Sequence, residues 1–496
     1  MENTLFKTES AFEEKCSKYA FYALILYFAD IILLGTGAIT KIGPLSTRML
    51  FFGAAGLLSL PVIFKNIKKL VKTPVVIFTV AFFAWMVIGA VIGFAKGNRT
   101  DIIMSDFMGY LNLILLPTML VVLNTKDRIY TLLKAIAYCC AAVSVGAIAL
   151  SFTNLLPFRD SMRIWLTEKG LCALSGMTSV AVRVFFHTGS RYMFAGFLIA
   201  FFFLLTENKG RKNSLCWCGL MALYIVGIFL SYTRAIYAAC FIVAVVAFIF
   251  VVVCKRELTK KVLKAFGLAA ACAVVFILVL GGVQKGQNLI KISFYRILLS
   301  TDLPASMVGD DGGLIDTGDG EMEKISEDVQ LGSEIRQAKK ILLGESIAKS
   351  PVFGGGLGTA IKYHPEILDR IVFENQEEDA SGNASGSAVS SGNAAAIEKS
   401  VSSGYVEYFY HDIINKLGIF GLALYLAPYV WMAVATLRAG KSKYLLLSTC
   451  VFGSITFFFI IAYFNPCMNT TVGISCYLLA MTVLNLIYNN LEKARK

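Results

Sequence analysis

Charge is what this chain has least of. Asp, Glu, Lys and Arg fill 16% of its 496 positions, while AVILMFWYC fill 57%. A soluble domain usually gives about a quarter of its residues to charge, so a water-soluble globule is excluded. Cysteine is missing from the longest polar stretch, Gly282 to Gly404, and that excludes a disulfide scaffold there. The cysteines that exist lie mostly in apolar blocks, as Cys139, Cys140, Cys216, Cys218 and Cys272 do. Cys216 and Cys218 form a C-x-C without companion ligands, which reads as packing and not as a metal site. Histidine occurs three times. No internal repeat is visible, and no segment fits the phosphate-binding pattern G-x-x-x-x-G-K-[ST].

What is present is hydrocarbon in blocks of roughly twenty residues, the length a helix needs to cross about 30 Å of bilayer core. They run approximately Tyr19–Ile39, Met49–Phe64, Val75–Ala95, Phe107–Leu123, Leu132–Phe152, Tyr192–Leu205, Leu215–Tyr232, Ala235–Cys254, Val262–Gly281, Ile413–Leu437, Tyr444–Phe464 and Thr471–Tyr488. Met1–Lys18 is polar, and the block after it is too long for the core of a signal peptide and lacks a clear cleavage site, so it is expected to stay as the first membrane helix. The net charge of +13 does not indicate a nucleic-acid partner. Its Lys and Arg gather in Lys65–Lys69, Asn124–Arg128, Lys209–Lys212, Lys255–Lys261 and Arg438–Lys443, which are alternate connections. By the positive-inside rule these connections and both termini lie in the cytoplasm.

The pattern therefore predicts an all-α polytopic membrane protein of about twelve transmembrane helices, N-in and C-in. Residues 1–281 hold helices 1 to 9, with an extracytoplasmic loop near 153–191. Residues 282–412 form a large extracytoplasmic loop between helices 9 and 10, and 413–496 hold helices 10 to 12. Within the large loop two inserts, near 309–324 and 376–402, are too polar and Gly/Ser-rich to offset the entropy of ordering and read as disordered. Ser333–Ser350 lies between them. It has a Ser N-cap, helical apolar spacing and no proline before Pro351, which predicts an amphipathic helix over the membrane mouth.

Three places can carry chemistry. In Ser231–Ala238 (SYTRAIYA), Arg234 falls at or just inside the outer membrane boundary, where a charge usually faces a polar cavity; snorkelling to the interface is the alternative. In Val182–Phe194, Arg183, His187 and Arg191 come to the outer mouth of a helix. Guanidinium forks suit a diphosphate because they stay charged and bind two oxygens at once, although loop charges facing lipid headgroups look the same in sequence. In Ser350–His364 (SPVFGGGLGTAIKYH), Gly354, Gly356 and Gly358 allow either a phosphate-cradling turn or a tight turn at the membrane surface. Further on, Glu407, Tyr410, His411 and Asp412 crowd the mouth of the tenth helix. Glu407 and His411, four apart, can act as a base and its orienter or form a polar collar.

In their order and spacing these segments resemble the bacterial O-antigen ligases and O-antigen or capsular (exopolysaccharide) polymerases. That family shows an S-x-[ST]-R turn, a large extracytoplasmic loop with an Arg before a P-[IVL]-x-G-x-G-x-G stretch, and a helix entered through a polar motif and ending in G-[LI]-[LIF]-G. Here these read SYTR, Arg336 ahead of SPVFGGGLG, and EYFYHDIINKLGIFG. The resemblance covers Ser231 to Leu426, and the first half mainly by topology. Many members begin the last motif with His-Asn; the matching position here is Glu407, with His411 one turn on.

The resemblance implies a glycosyltransferase of the bacterial cytoplasmic membrane that moves a glycan from a polyprenyl-diphosphate carrier to an acceptor hydroxyl, without metal or other cofactor. Arg183, Arg191, Arg234, Arg336 and the loop glycines would hold the substrate, and Glu407 or His411 would accept the proton. Its partners would be the lipid-linked donor, a glycan acceptor, the bilayer, a chain-length regulator and a flippase. Two rival readings remain: a polysaccharide or lipid-linked oligosaccharide transporter or flippase, and a non-catalytic assembly protein.

Overall fold

The computed structural model describes residues 6, 10–35, 40–42, 45–151, 159–176, 182–207, 211–283, 335–361 and 408–495. Among them are twelve helical spans long and apolar enough to cross a membrane. The chain is a multi-pass, all-α membrane protein. The two inserts near 309–324 and 376–402, and Glu407, lie outside the described residues.

The spans are α1 (Ala11–Leu33), α2 (Thr47–Leu70), α3 (Pro74–Ala95), a fourth built from α4 (Thr100–Tyr110), a 3-10 turn and α5 (Leu116–Val122), then α6 (Lys126–Ser151), α8 (Gly189–Thr206), α9 (Arg211–Leu230), α10 (Arg234–Cys254) and α11 (Thr259–Val283). After the large loop come α13 (Phe409–Ala439), α14 (Leu445–Ala462) and α15 (Thr471–Arg495). Local chemistry starts and stops them. Ser10 caps α1 by accepting from the Glu13 amide at 3.1 Å, and Pro74 opens α3, where its missing N–H costs nothing. The fourth span was expected from Phe107 but begins at Thr100, its first turns diluted by Asp101, Ser105 and Asp106. It tightens to a 3-10 turn over Leu111–Leu115, just before Pro117, which has no amide to give the carbonyl four residues back.

The most enclosed spans are α15, α8 and α14, with α13 packed on α3, α14 and α15, and α10 on α14. Large apolar side chains on the outside of α2, α3, α10 and α11, such as Leu57, Val91, Phe241 and Val275, are exposed, as lipid-facing residues should be. With twelve spans, the start of α1 and the end of α15 fall at one end of the bundle; the opposite end is called the mouth below.

A short antiparallel pair, β1 (Lys41–Ile42) with β2 (Leu45–Ser46), precedes α2. Two pieces cover the mouth. The loop expected near 153–191 carries α7 (Arg159–Glu168) and a second antiparallel pair, β3 (Cys172–Gly176) with β4 (Val182–Phe186), in register Cys172↔Phe186. The expected amphipathic helix is α12, over 335–349. It buries Ala338, Lys339, Leu342 and Leu343 and exposes Arg336, Lys340 and Lys349.

Candidate functional site

After α12 the chain makes the glycine turn, and the turn is woven into the bundle. Five successive amides are donated within the protein: Gly354 to Ser350 O at 3.0 Å, Gly355 to Asn415 O at 2.7 Å, Gly356 to Lys416 O at 3.0 Å, Leu357 to Gly89 O at 2.9 Å and Gly358 to Asp106 Oδ2 at 2.8 Å. Asn98 Nδ2 adds a bond to Leu357 O at 2.9 Å. In return the Ile419 amide donates to Pro351 O at 2.9 Å and Trp85 Nε1 to Leu417 O at 2.9 Å. These bonds interrupt α13 at Gly418, whose φ of 72° and ψ of 179° are not helical. Of the alternatives the sequence left open, Gly354, Gly356 and Gly358 form the tight turn: the amides that would cradle a phosphate are spent on carbonyls and a carboxylate.

Beneath the turn sits an ion cluster of which the sequence reading named Asp412 alone. Lys416 Nζ lies 2.8 Å from Asp106 Oδ1 and 2.8 Å from Asp412 Oδ1, with all three side chains largely buried. The available signal was Lys416, a lone charge inside the apolar block Ile413–Leu437 that needs a partner. Lys416 ties the first half of α13 to the fourth span and so positions His411 and Asn415 at the mouth. Asn415 Oδ1 accepts from Ser346 Oγ of α12 at 2.6 Å. Among the described residues His411 Nδ1 and Asn415 Nδ2 are buried without a hydrogen-bond partner.

The guanidinium groups gather on the other side of the mouth. Arg183 and Arg191 both lie against the ring of Phe185, at 5.4 and 6.0 Å, and His187 meets the same ring edge-on at 5.9 Å. Burial, then the charges of Arg191 and Arg183, hold the His187 imidazole below its ordinary value of 6.5. Arg183 Nε donates to Ser231 O at 3.1 Å and Arg183 Nη2 to Thr233 Oγ1 at 3.2 Å, which joins the hairpin to the turn carrying Arg234. Arg234 is within electrostatic reach of Arg336 on α12, and His411 of Lys340 one turn along that helix. The sequence-selected residues Arg183, Arg191, Arg234, Arg336 and His411 are thus linked around one rim.

Elsewhere Arg48 pairs with Asp30 at 3.1 Å and Arg438 with Glu492 at 2.9 Å. By contrast, among the described residues Arg183, Arg191 and Arg234 have no carboxylate within ion-pair distance. Three half-buried cations without counter-ions among the described residues make a site suited to an anion.

Arg234 opens α10, and one turn further on, from Tyr237, that helix lines an apolar cavity. About 560 Å³ in volume, it is lined by Phe197 and Phe201 of α8, Ile228 of α9, α10 from Tyr237 to Val251, Phe266 of α11 and Cys450 of α14. Along α10 that is about 21 Å at 1.5 Å per residue. A groove this shape fits a hydrocarbon chain whose polar head would sit by Arg234. At the hairpin, burial pushes the Cys172 thiol up to about 12, and all twelve cysteines are free thiols, which suits packing residues. A scan against protein-family models finds no match to this chain, nor does a search of curated proteins.

Proposed function

We propose that the protein is a glycosyltransferase of the lipid-linked polysaccharide polymerase or ligase type, working at the outer face of a bacterial cytoplasmic membrane. The observation that carries this reading is what flanks the start of α10: Arg183, Arg191 and Arg234, which have no carboxylate partner among the described residues, gather by its first turn, and from Tyr237 onward the helix lines a cavity with an almost wholly apolar wall. An anionic amphiphile matches both halves at once, and a polyprenyl-diphosphate-linked glycan is such a molecule. Its isoprenoid tail would lie along α10, and Arg191, Arg234 and Arg336 would face the diphosphate.

In this mechanism an acceptor hydroxyl attacks the anomeric carbon, the bond from that carbon to the diphosphate oxygen breaks, and the polyprenyl diphosphate leaves with its electrons. The hydroxyl proton passes to His411 or Glu407. The leaving group is already a stable anion, so the protein's share is charge compensation, positioning and a base. Preorganised cations matter most here, because the charge they meet grows as the bond breaks.

Arg234→Ala and Arg336→Ala, introduced separately in cells that make the polysaccharide, test the assignment. Each is expected to lower polymer yield at least about tenfold with protein levels unchanged, since a charge-assisted contact is worth about 1.5–3 kcal/mol. Wild-type yield from both variants would remove the rim from the mechanism.

A further inference from the structure

The turn between α9 and α10 is bent in a way its sequence resists. Tyr232 has a φ of 44°, the one positive value at a non-glycine among the described residues, and a left-handed aromatic residue is costly unless its surroundings hold it. What holds it is visible. The Ser231 amide and hydroxyl both donate to Ile228 O, at 3.1 and 2.6 Å, and the Tyr232 amide donates to Phe229 O at 3.2 Å. The outermost restraint comes from another part of the chain: Arg183 reaches from β4 and donates to Ser231 O and Thr233 Oγ1, one acceptor on each side of Tyr232.

Thr233 is drawn into the same arrangement. It stands at the N-cap of α10, where a threonine hydroxyl ordinarily accepts from an amide of the first turn, yet it makes no such bond. Its hydroxyl instead donates to Ser231 O at 2.9 Å and accepts from Arg183. Arg183 meanwhile has two donors committed to the turn and its guanidinium carbon over Phe185 at 5.4 Å. Two of its five N–H donors therefore hold the turn.

We propose that Arg183 is a positioning residue and not a ligand-binding one: it clamps the Ser231–Thr233 turn from both sides of Tyr232 and thereby sets the direction from which Arg234, the next residue, faces the anion. This rests on the anion-site reading given above and reassigns one of its residues. It also gives the S-x-T part of the SYTR segment a purpose, since Ser231 supplies a carbonyl and Thr233 a hydroxyl to the same guanidinium.

The test uses the full-length protein in lipid nanodiscs, with Arg183→Gln, Thr233→Val and the double variant. The first readout is amide exchange over 231–237, with α15 as an internal control. Each single variant is expected to speed exchange there about tenfold, the factor for one charge-assisted hydrogen bond, with α15 unchanged. The second readout is equilibrium binding of geranylgeranyl diphosphate against uncharged geranylgeraniol. Both single variants should weaken the diphosphate about tenfold and leave the alcohol alone, and the double variant should be no worse than either, as members of one unit behave. Thr233→Val is the sharper arm because it preserves every charge. Additive losses would make Arg183 a direct ligand, and unchanged exchange in Arg183→Gln would remove the clamp; either overturns the proposal. If the wild-type protein binds the diphosphate no better than the alcohol, the anion site fails, and the exchange measurement still decides whether Arg183 holds the turn.

Discussion

Gly356 shows what a single position must satisfy in this fold. Its φ is 90°, and a Cβ there would lie 2.3 Å from the Gly93 amide nitrogen. Gly356→Ala is therefore expected to destabilise the protein by about 3 kcal/mol or more, read as a lowered melting temperature in nanodiscs. His187 gives a pH-dependent counterpart. Its folded value lies below 6.5, so as pH falls through about 6.5 the unfolded chain binds a proton before the folded one does, and stability drops. Above that pH the group contributes no such loss. A His187→Gln variant should show a flatter stability curve between about pH 7 and pH 5; an identical curve would contradict the placement of His187 beside Arg183 and Arg191. At this scale the arginines were legible in the sequence because charge stands out against apolar blocks. The job of the glycines was not, since their partners, Gly89, Asp106, Asn415 and Lys416, sit far away in the chain, and no local pattern distinguishes an anion cradle from a backbone lock.

Among the elements, α13 is the one whose sequence and structure differ most. Nothing in KLGIFG marks Gly418 as a helix break; the break exists because Pro351 and Val352 take the amides of Ile419 and Phe420. A Cβ on Gly418 would fall 2.0 Å from Val352 O, so Gly418→Ala should expel the turn and raise amide exchange over 350–358. Unchanged exchange there would mean that the lock is not what interrupts the helix. The cluster below makes a second prediction. Lys416→Met leaves Asp106 and Asp412 without their cation and should cost about 3–5 kcal/mol, while adding Asp106→Asn and Asp412→Asn should recover most of it. Thermal melts of the single and triple variants decide this. The hairpin β3–β4 went unread because its strands are short and carry the charges singled out for chemistry, whereas the twelve spans were plain because membrane helices declare themselves by length and composition alone.

For the whole molecule, the expected orientation comes from where the basic clusters fall in the sequence, in alternate connections between the twelve spans. In intact cells, Lys349→Cys is expected to react with a membrane-impermeant maleimide and Lys441→Cys only after permeabilisation, and the reverse pattern would invert the account. Architecture alone does not name the chemistry; that rests on guanidinium groups gathered by the first turn of α10 and an apolar cavity lined by the same helix from Tyr237 onward. The most direct measurement incubates the purified protein with a polyprenyl-diphosphate-linked repeat unit, no nucleotide added, and follows glycan length and released carrier. Longer glycan with one polyprenyl diphosphate freed per linkage, both lost in Arg234→Ala, is the expected result. Substrate that stays bound but unextended, with no carrier released, would contradict the proposed transfer.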